Sequence, residues 1–156
     1  MLNLNAQYES IRAEVKEAIE HVLESQHFIM GPEVESFEKK IARYCEAEHA
    51  IGCASGSDAL LLSLMALDIG PGDAVITTPF TFFATAGAIA RLGATPIFLD
   101  INNIDYNLNP EAVELFLEDN HSLNKKLGIT SGEVKAIIPV HLYGQMADMD
   151  KFTDLG

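Results

Sequence analysis

The chain has 156 residues, a length that suits one globular domain, and its 48% hydrophobic against 21% charged residues excludes a disordered chain. Ten basic against 23 acidic side chains give a formal net charge of −13, which disfavours nucleic acid or an anionic membrane as a partner and favours solubility. Cys45 and Cys53 are the only cysteines, with no zinc-type spacing to histidine, so they are expected to be reduced, buried thiols of a cytoplasmic protein.

The start, Met1-Leu2-Asn3-Leu4-Asn5, lacks the basic and then apolar regions of an export signal, and no apolar run reaches bilayer length. Ile11, Val15, Ile19 and Val22 recur at helical spacing, predicting an amphipathic helix over about residues 8–24 whose apolar stripe must dock. Residues 25–31 read as a loop. Gly31-Pro32-Glu33 opens a second helix, with Val34, Phe37, Ile41 and Tyr44 as its expected buried stripe. Residues 50–54 read as a strand. A turn follows, then an apolar helix carrying Leu60, Leu61, Leu62, Leu64, Met65 and Leu67, stopped by Gly70-Pro71-Gly72-Asp73.

Three further apolar runs, residues 74–78, 95–99 and 134–140, alternate with helical stretches starting near Thr81 and Pro110. That alternation predicts an α/β fold with a mostly parallel sheet covered by helices. Between them, residues 119–132 are polar and read as a surface excursion, with Lys125 and Lys126 as solvated charge. No repeat or linker divides the chain.

Ala54-Ser55-Gly56-Ser57-Asp58-Ala59-Leu60 places small residues where a strand hands over to a helix. Unpaired N–H groups at a helix start, the helix dipole and a glycine that admits close approach make a cradle for an anion such as phosphate. The plain alternative is a capped helix, with Ser57 as the cap and Asp58 favourably placed near the dipole. Ligands of open α/β sheets bind beyond the carboxyl ends of the strands, which directs attention to residues 55–58, 79–85, 100–103 and 141–145.

Read together, several motifs in order resemble one family. They are Phe28-Ile29-Met30-Gly31-Pro32-Glu33-Val34 with Phe37-Glu38, the turn at residues 54–60, Gly70-Pro71-Gly72-Asp73, Pro79-Phe80-Thr81-Phe82, Gly93-Ala94-Thr95-Pro96 and Pro139-Val140-His141-Leu142-Tyr143-Gly144-Gln145. From about Asn5 to Asp150 the chain resembles the DegT/DnrJ/StrS-type sugar aminotransferases, pyridoxal-phosphate (PLP) enzymes of the aspartate-aminotransferase fold. The resemblance implies residues 1–30 as an N-terminal helix and loop, and 31–156 as the first part of the PLP-binding large domain. It implies that Gly56, Ser57 and Asp58 hold the cofactor phosphate and that the Phe82 ring stacks on the pyridine face, the bland alternative being a core phenylalanine. It places His141 and Gln145 at the cofactor or substrate end of the cleft, where His141 is otherwise a histidine closing a strand. Met30 and Gly31 match a loop that shapes the substrate side.

The implied reaction moves an amino group from an amino-acid donor, glutamate in this reading, to a nucleotide-linked keto sugar, in a homodimer with both subunits at each active site. It needs a Schiff-base lysine and an acid beside the pyridine nitrogen. In the family both lie beyond the segment matched by residues 139–145. None of Lys16, Lys39, Lys40, Lys125, Lys126, Lys135 and Lys151 sits in such a context, so no catalytic residue is assigned. The chain is accordingly expected to be the amino-terminal part of a longer aminotransferase. The alternatives are a related sugar dehydratase using the same cofactor, with histidine in place of the lysine, and a non-catalytic chain that binds a phosphate ligand or a partner.

A sheet with an unpaired edge leaves apolar surface exposed. Expressed alone, the 156-residue chain is therefore expected to aggregate; a monodisperse sample with a sharp, cooperative thermal transition would contradict this.

Overall fold

Helix formation dominates the first 50 residues, and a parallel sheet organises the remainder. The computed structural model describes residues 2–118 and 134–156 and divides into two units, Met1–Gly52 and Cys53–Gly156. The excursion expected at 119–132 lies outside the described residues.

In the first unit, α1 (Leu4–Ser25) starts at Asn3, whose side chain accepts the Ala6 N–H at 3.1 Å. Helix α2 (Pro32–Tyr44) starts with proline and carries Glu33 and Glu35 in its first turn and Arg43 in its last, charges that complement its dipole. The expected burial of the two apolar stripes is not found. Phe37 is 60% and Tyr44 87% exposed, Ile11, Ile19 and Ile41 are exposed as well, and neither helix contains a buried residue. Periodicity shows which face is apolar, not that a covering surface is present.

The expected strand at residues 50–54 is also absent. An extended segment becomes a strand only when a neighbour supplies ladder partners, and none of the described residues does so. Gly52 N–H donates instead to the Glu38 carboxylate at 2.7 Å. Both cysteines are exposed rather than buried, because the segments that carry them cover no core.

The second unit is built on β1 (Ala74–Thr77), β2 (Thr95–Phe98) and β3 (Val134–Ile137), all parallel, in the order β2-β1-β3. Every residue of β1 is buried, as expected of a central parallel strand. Its side chains alternate between two cores. Val75 packs with Leu64 and Ile69, and with Ala88 and Ile89, between the sheet and helices α3 (Gly56–Ala66) and α4 (Ala84–Arg91). Ala74 and Ile76 face the other way, onto Ile97, Leu108, Val113, Phe116 and Phe152, covered by α5 (Pro110–Glu118) and α6 (Met149–Asp154). Helices on both faces of a parallel sheet are the α/β arrangement that the apolar runs imply.

The connections explain the strand order. Parallel neighbours need a crossover, and α4 supplies it from β1 to β2 on one face. Helix α5 then carries the chain over the opposite face so that β3 pairs on the far side of β1. The turn before β1 is locked by Gly72 and Asp73. Gly72 takes φ 96°, and the Asp73 carboxylate accepts the Gly70 N–H at 2.9 Å and meets Lys135 Nζ of β3 at 3.1 Å. First the Gly70 N–H and then the Lys135 ammonium hold the Asp73 carboxyl below its ordinary 3.8, outweighing the opposing effect of burial.

A carboxyl whose folded pKa is depressed contributes stability above its unfolded value, and this is lost as pH falls through the folded one. Asp73→Asn is therefore expected to lower the Tm at pH 7 and to change it little once the pH is well below 3.8, in thermal unfolding followed across that range.

Candidate functional site

The doubly wound order sets where a ligand can sit. The chain leaves β1 toward the face of α4 and leaves β3 toward the face of α6, so their carboxyl ends border a crevice at a topological switch point. A cleft of about 760 Å³ lies there. Its walls come from residues 80–85 after β1, 140–143 after β3, and Gly56, Ser57 and Leu60 at the start of α3.

At the helix start, the cap is Ser55 and not Ser57. Ser55 Oγ accepts the Asp58 N–H at 3.1 Å and donates to the Asp58 carboxylate at 2.9 Å, an exchange that turns Asp58 into the cap. Asp58 accordingly does not line the cleft, whereas Gly56 and Ser57 do. The first N–H groups of a helix have no intrahelical acceptor, and an added Cβ at Gly56 would meet nothing within 4 Å. Ser57 is exposed, and no hydrogen bond engages its hydroxyl among the described residues. This end of the cleft therefore offers backbone donors, a hydroxyl and open space to an anion.

The aromatic wall follows from how three phenylalanines divide. Two buried threonines stand at the end of β1, Thr77 as its last residue and Thr78 just after it; the Thr77 hydroxyl donates to the Ile138 carbonyl at 3.0 Å, and Thr78 Oγ1 accepts the Phe80 N–H at 3.2 Å. These bonds bend the chain into the cleft. Phe80 meets Tyr106 edge-on at 6.5 Å, and Phe83 lies over Gly87. Phe82 is left 77% exposed along the cleft, so the alternative of a core phenylalanine does not hold for it. The hydroxyls of Thr81 and Thr85 lie 2.9 Å apart in the same wall.

The third wall is the turn after β3. His141 Nδ1 accepts the Ala147 N–H at 3.1 Å, which places the proton of the neutral ring on Nε2 and makes that nitrogen the donor. Tyr143 sits at φ 51° and is almost fully exposed in the cleft. Gln145 does not line the cleft; its side chain donates to the Met146 carbonyl at 3.4 Å. Met30 and Gly31 belong to the first unit. Met30 is exposed at φ 48°, while a side chain at Gly31 would place its Cβ 2.6 Å from the His27 carbonyl oxygen, so the loop admits only glycine there.

Lys135 is held by Asp73 and Lys151 meets Asp148 at 3.6 Å; neither lines the cleft. No cluster of metal ligands occurs among the described residues. With anion donors, an exposed aromatic face and an imidazole donor lining one cleft, the residues fit a small phosphorylated aromatic ring.

A family model for the DegT/DnrJ/EryC1/StrS aminotransferases matches residues 9–156. The chain belongs to this family. It is 48% identical over 150 residues to a pleiotropic regulatory protein of Geobacillus stearothermophilus, covering 96% of this chain and 37% of the relative. It is 42% identical over 154 residues to the dTDP-3-amino-3,4,6-trideoxy-alpha-D-glucose transaminase of Streptomyces venezuelae, covering 99% and 37%. A DegT/DnrJ/EryC1/StrS aminotransferase crystal structure from Brucella abortus superposes with a TM-score of 0.87 at 41% identity, over 99% of this chain and 40% of that one. NtdA of Bacillus subtilis, solved with the cofactor PMP bound, superposes with a TM-score of 0.78 at 30% identity, over 94% and 31%. The chain thus spans about 37% of the length of the curated family relatives it matches.

The strand-end rule pointed to residues 79–85 and 141–145 without singling out Thr81, Thr85 and Tyr143, and Asn107 was not picked out at all. Thr81 and Tyr143 stood inside quoted motifs, but nothing in the sequence distinguished wall from support. The capping assignment yields a direct check by chemical denaturation. Ser55→Ala is expected to cost about 1 kcal/mol through loss of the cap, and Ser57→Ala less than about 0.5 kcal/mol.

Proposed function

We propose that this chain is the N-terminal, cofactor-phosphate part of a PLP-dependent aminotransferase that acts on a nucleotide-linked keto sugar with an amino-acid donor, glutamate in our reading. The observation that carries the proposal is the single cleft joining the open start of α3 to the exposed Phe82 ring and His141. The named transaminase activity of the Streptomyces venezuelae relative supports the substrate class. The PMP of the Bacillus subtilis structure supports the cofactor.

Gly56 and Ser57 would bind the phosphate through backbone N–H groups and a hydroxyl, with Asp58 serving the cap. Phe82 would hold the plane of the ring, a contact worth roughly 1 kcal/mol beyond its buried area. His141 would donate from Nε2 to an acceptor on the ring or substrate. When bound, the cofactor supplies an electron sink that acidifies the substrate carbon to be deprotonated. No residue of this chain is assigned the proton transfer itself. Met30 and Gly31 are proposed to shape the substrate side and Gln145 to support the turn behind His141. Residues 1–30 are proposed as an N-terminal helix and loop and 31–156 as the first part of the PLP-binding large domain. We further propose a cytoplasmic homodimer; among the described residues no helix is long and apolar enough to cross a membrane.

Titration with pyridoxal phosphate of the full-length aminotransferase carrying this chain, freed of cofactor and followed by absorbance and fluorescence, tests the proposal. Saturable binding is expected, weakened about tenfold or more in Ser57→Ala, as befits loss of a hydrogen bond to a charged group. Phe82→Ala is expected to weaken it several-fold. No saturable binding, or variants that bind as the parent does, would overturn the assignment.

A further inference from the structure

The turn at residues 141–145 is not held by the strand that precedes it. After β3 the chain leaves the ladder, passes through a 3₁₀ turn at Leu142–Gly144, and places Tyr143 in the left-handed region, where residues with a Cβ are rarely found. A bracket from elsewhere supports it. Asn107 is 1% exposed, and its carboxamide reaches both ends of the turn: Nδ2 donates to the Gln145 carbonyl at 3.1 Å and Oδ1 accepts the Leu142 N–H at 3.1 Å.

The backbone of Asn107 is anchored in its turn. Its N–H donates to the Asp105 carboxylate at 3.0 Å, and its carbonyl accepts the Asn102 N–H at 3.0 Å. The antiparallel bridge between Ile101 and Leu108 and the burial of Leu108 in the core fix the hairpin that presents it. All four polar groups of Asn107 are thereby satisfied, and two of the bonds serve a segment 35 and 38 residues away in the chain.

We propose that Asn107 is a positioning residue for the cleft, holding the turn so that His141 keeps its Ala147 contact, its Nε2 donor and its place in the cleft that the start of α3 also lines. The ligand part of this inference rests on the reading of the cleft given under Proposed function. Asn107 does not line the cleft; it acts through the backbone of Leu142 and Gln145. Removing its carboxamide frees the turn and leaves the anion end at Gly56 and Ser57 intact.

The test compares Asn107→Leu, which keeps side-chain volume and deletes both bonds, with Val113→Ala, a core change in α5 that touches neither wall. Both variants are made in the full-length aminotransferase of which this chain is proposed to be the N-terminal part, freed of cofactor; without ligand, nitrogen-15 NMR of the imidazole and hydrogen exchange at Leu142 are read. Asn107→Leu is expected to convert His141 from the single Nε2–H tautomer to a mixture and to speed Leu142 exchange at least tenfold, and Val113→Ala to do neither. With ligand, Asn107→Leu is expected to weaken pyridoxal phosphate at least tenfold while inorganic phosphate, which reads only the helix start, changes less than twofold. Unchanged tautomer and exchange, or a parallel loss of both ligands, would overturn the proposal. Wild-type chain that binds no pyridoxal phosphate would overturn the reading of the cleft, and the tautomer and exchange data would still decide the role of Asn107. Should Asn107→Leu not fold, Asn107→Asp keeps the acceptor for Leu142, loses the donor to Gln145 and is read by the same tautomer and exchange measurements.

Discussion

Strand β1 is the constraint on which the second unit depends. It is buried along its whole length, pairs in parallel with β2 on one side and β3 on the other, and sends alternate side chains into two separate cores. Parallel pairing forbids tight hairpins, so every neighbour must arrive by a helix crossing one face. With α4 after β1 on one face and α6 after β3 on the other, the segments leaving β1 and β3 diverge, and the gap between them is the cleft. Its position is therefore a consequence of strand order and does not depend on any one lining residue.

What lines the cleft is decided by competition among local hydrogen bonds. Ser55 takes Asp58 for the cap, which removes both from the anion end and leaves Gly56 and Ser57 open. Phe80 lines the cleft while meeting Tyr106 edge-on, Phe83 lies over Gly87 outside the cleft, and Phe82 stands exposed along the wall. Asn107 supports the turn of His141 from behind, and the Asp105 carboxyl, held below its ordinary value chiefly by the Asn107 N–H, stabilises the hairpin in return.

This explains what could and could not be read from the amino acids. The three strands and their covering helices were legible because Ala74-Val75-Ile76-Thr77 and its counterparts are short apolar runs between helical periods, a pattern that backbone pairing enforces. Residues 50–54 show the same apolar character and form no strand, since pairing requires a neighbour that composition does not reveal. The stripes of α1 and α2 misled for the same reason, as periodicity identifies a face without its partner. Gly56, Ser57, Phe82 and His141 were legible as a set through the ordered motifs. The choice of Ser55 over Ser57 as cap was not, because either serine satisfies the local rule, and Asn107 lies 35 residues from the Leu142 N–H it accepts.

The central claim is that one cleft, at the carboxyl ends of β1 and β3, receives a phosphorylated aromatic ring. Chemical-shift mapping with pyridoxal phosphate on the nitrogen-15-labelled full-length aminotransferase carrying this chain, freed of cofactor, tests it most directly. The account predicts saturable shifts concentrated at Gly56, Ser57, Phe82 and His141, with little change at the groove of Val134, Phe152 and Leu155 beside β3. Shifts centred on that groove, or none that saturate, would contradict it.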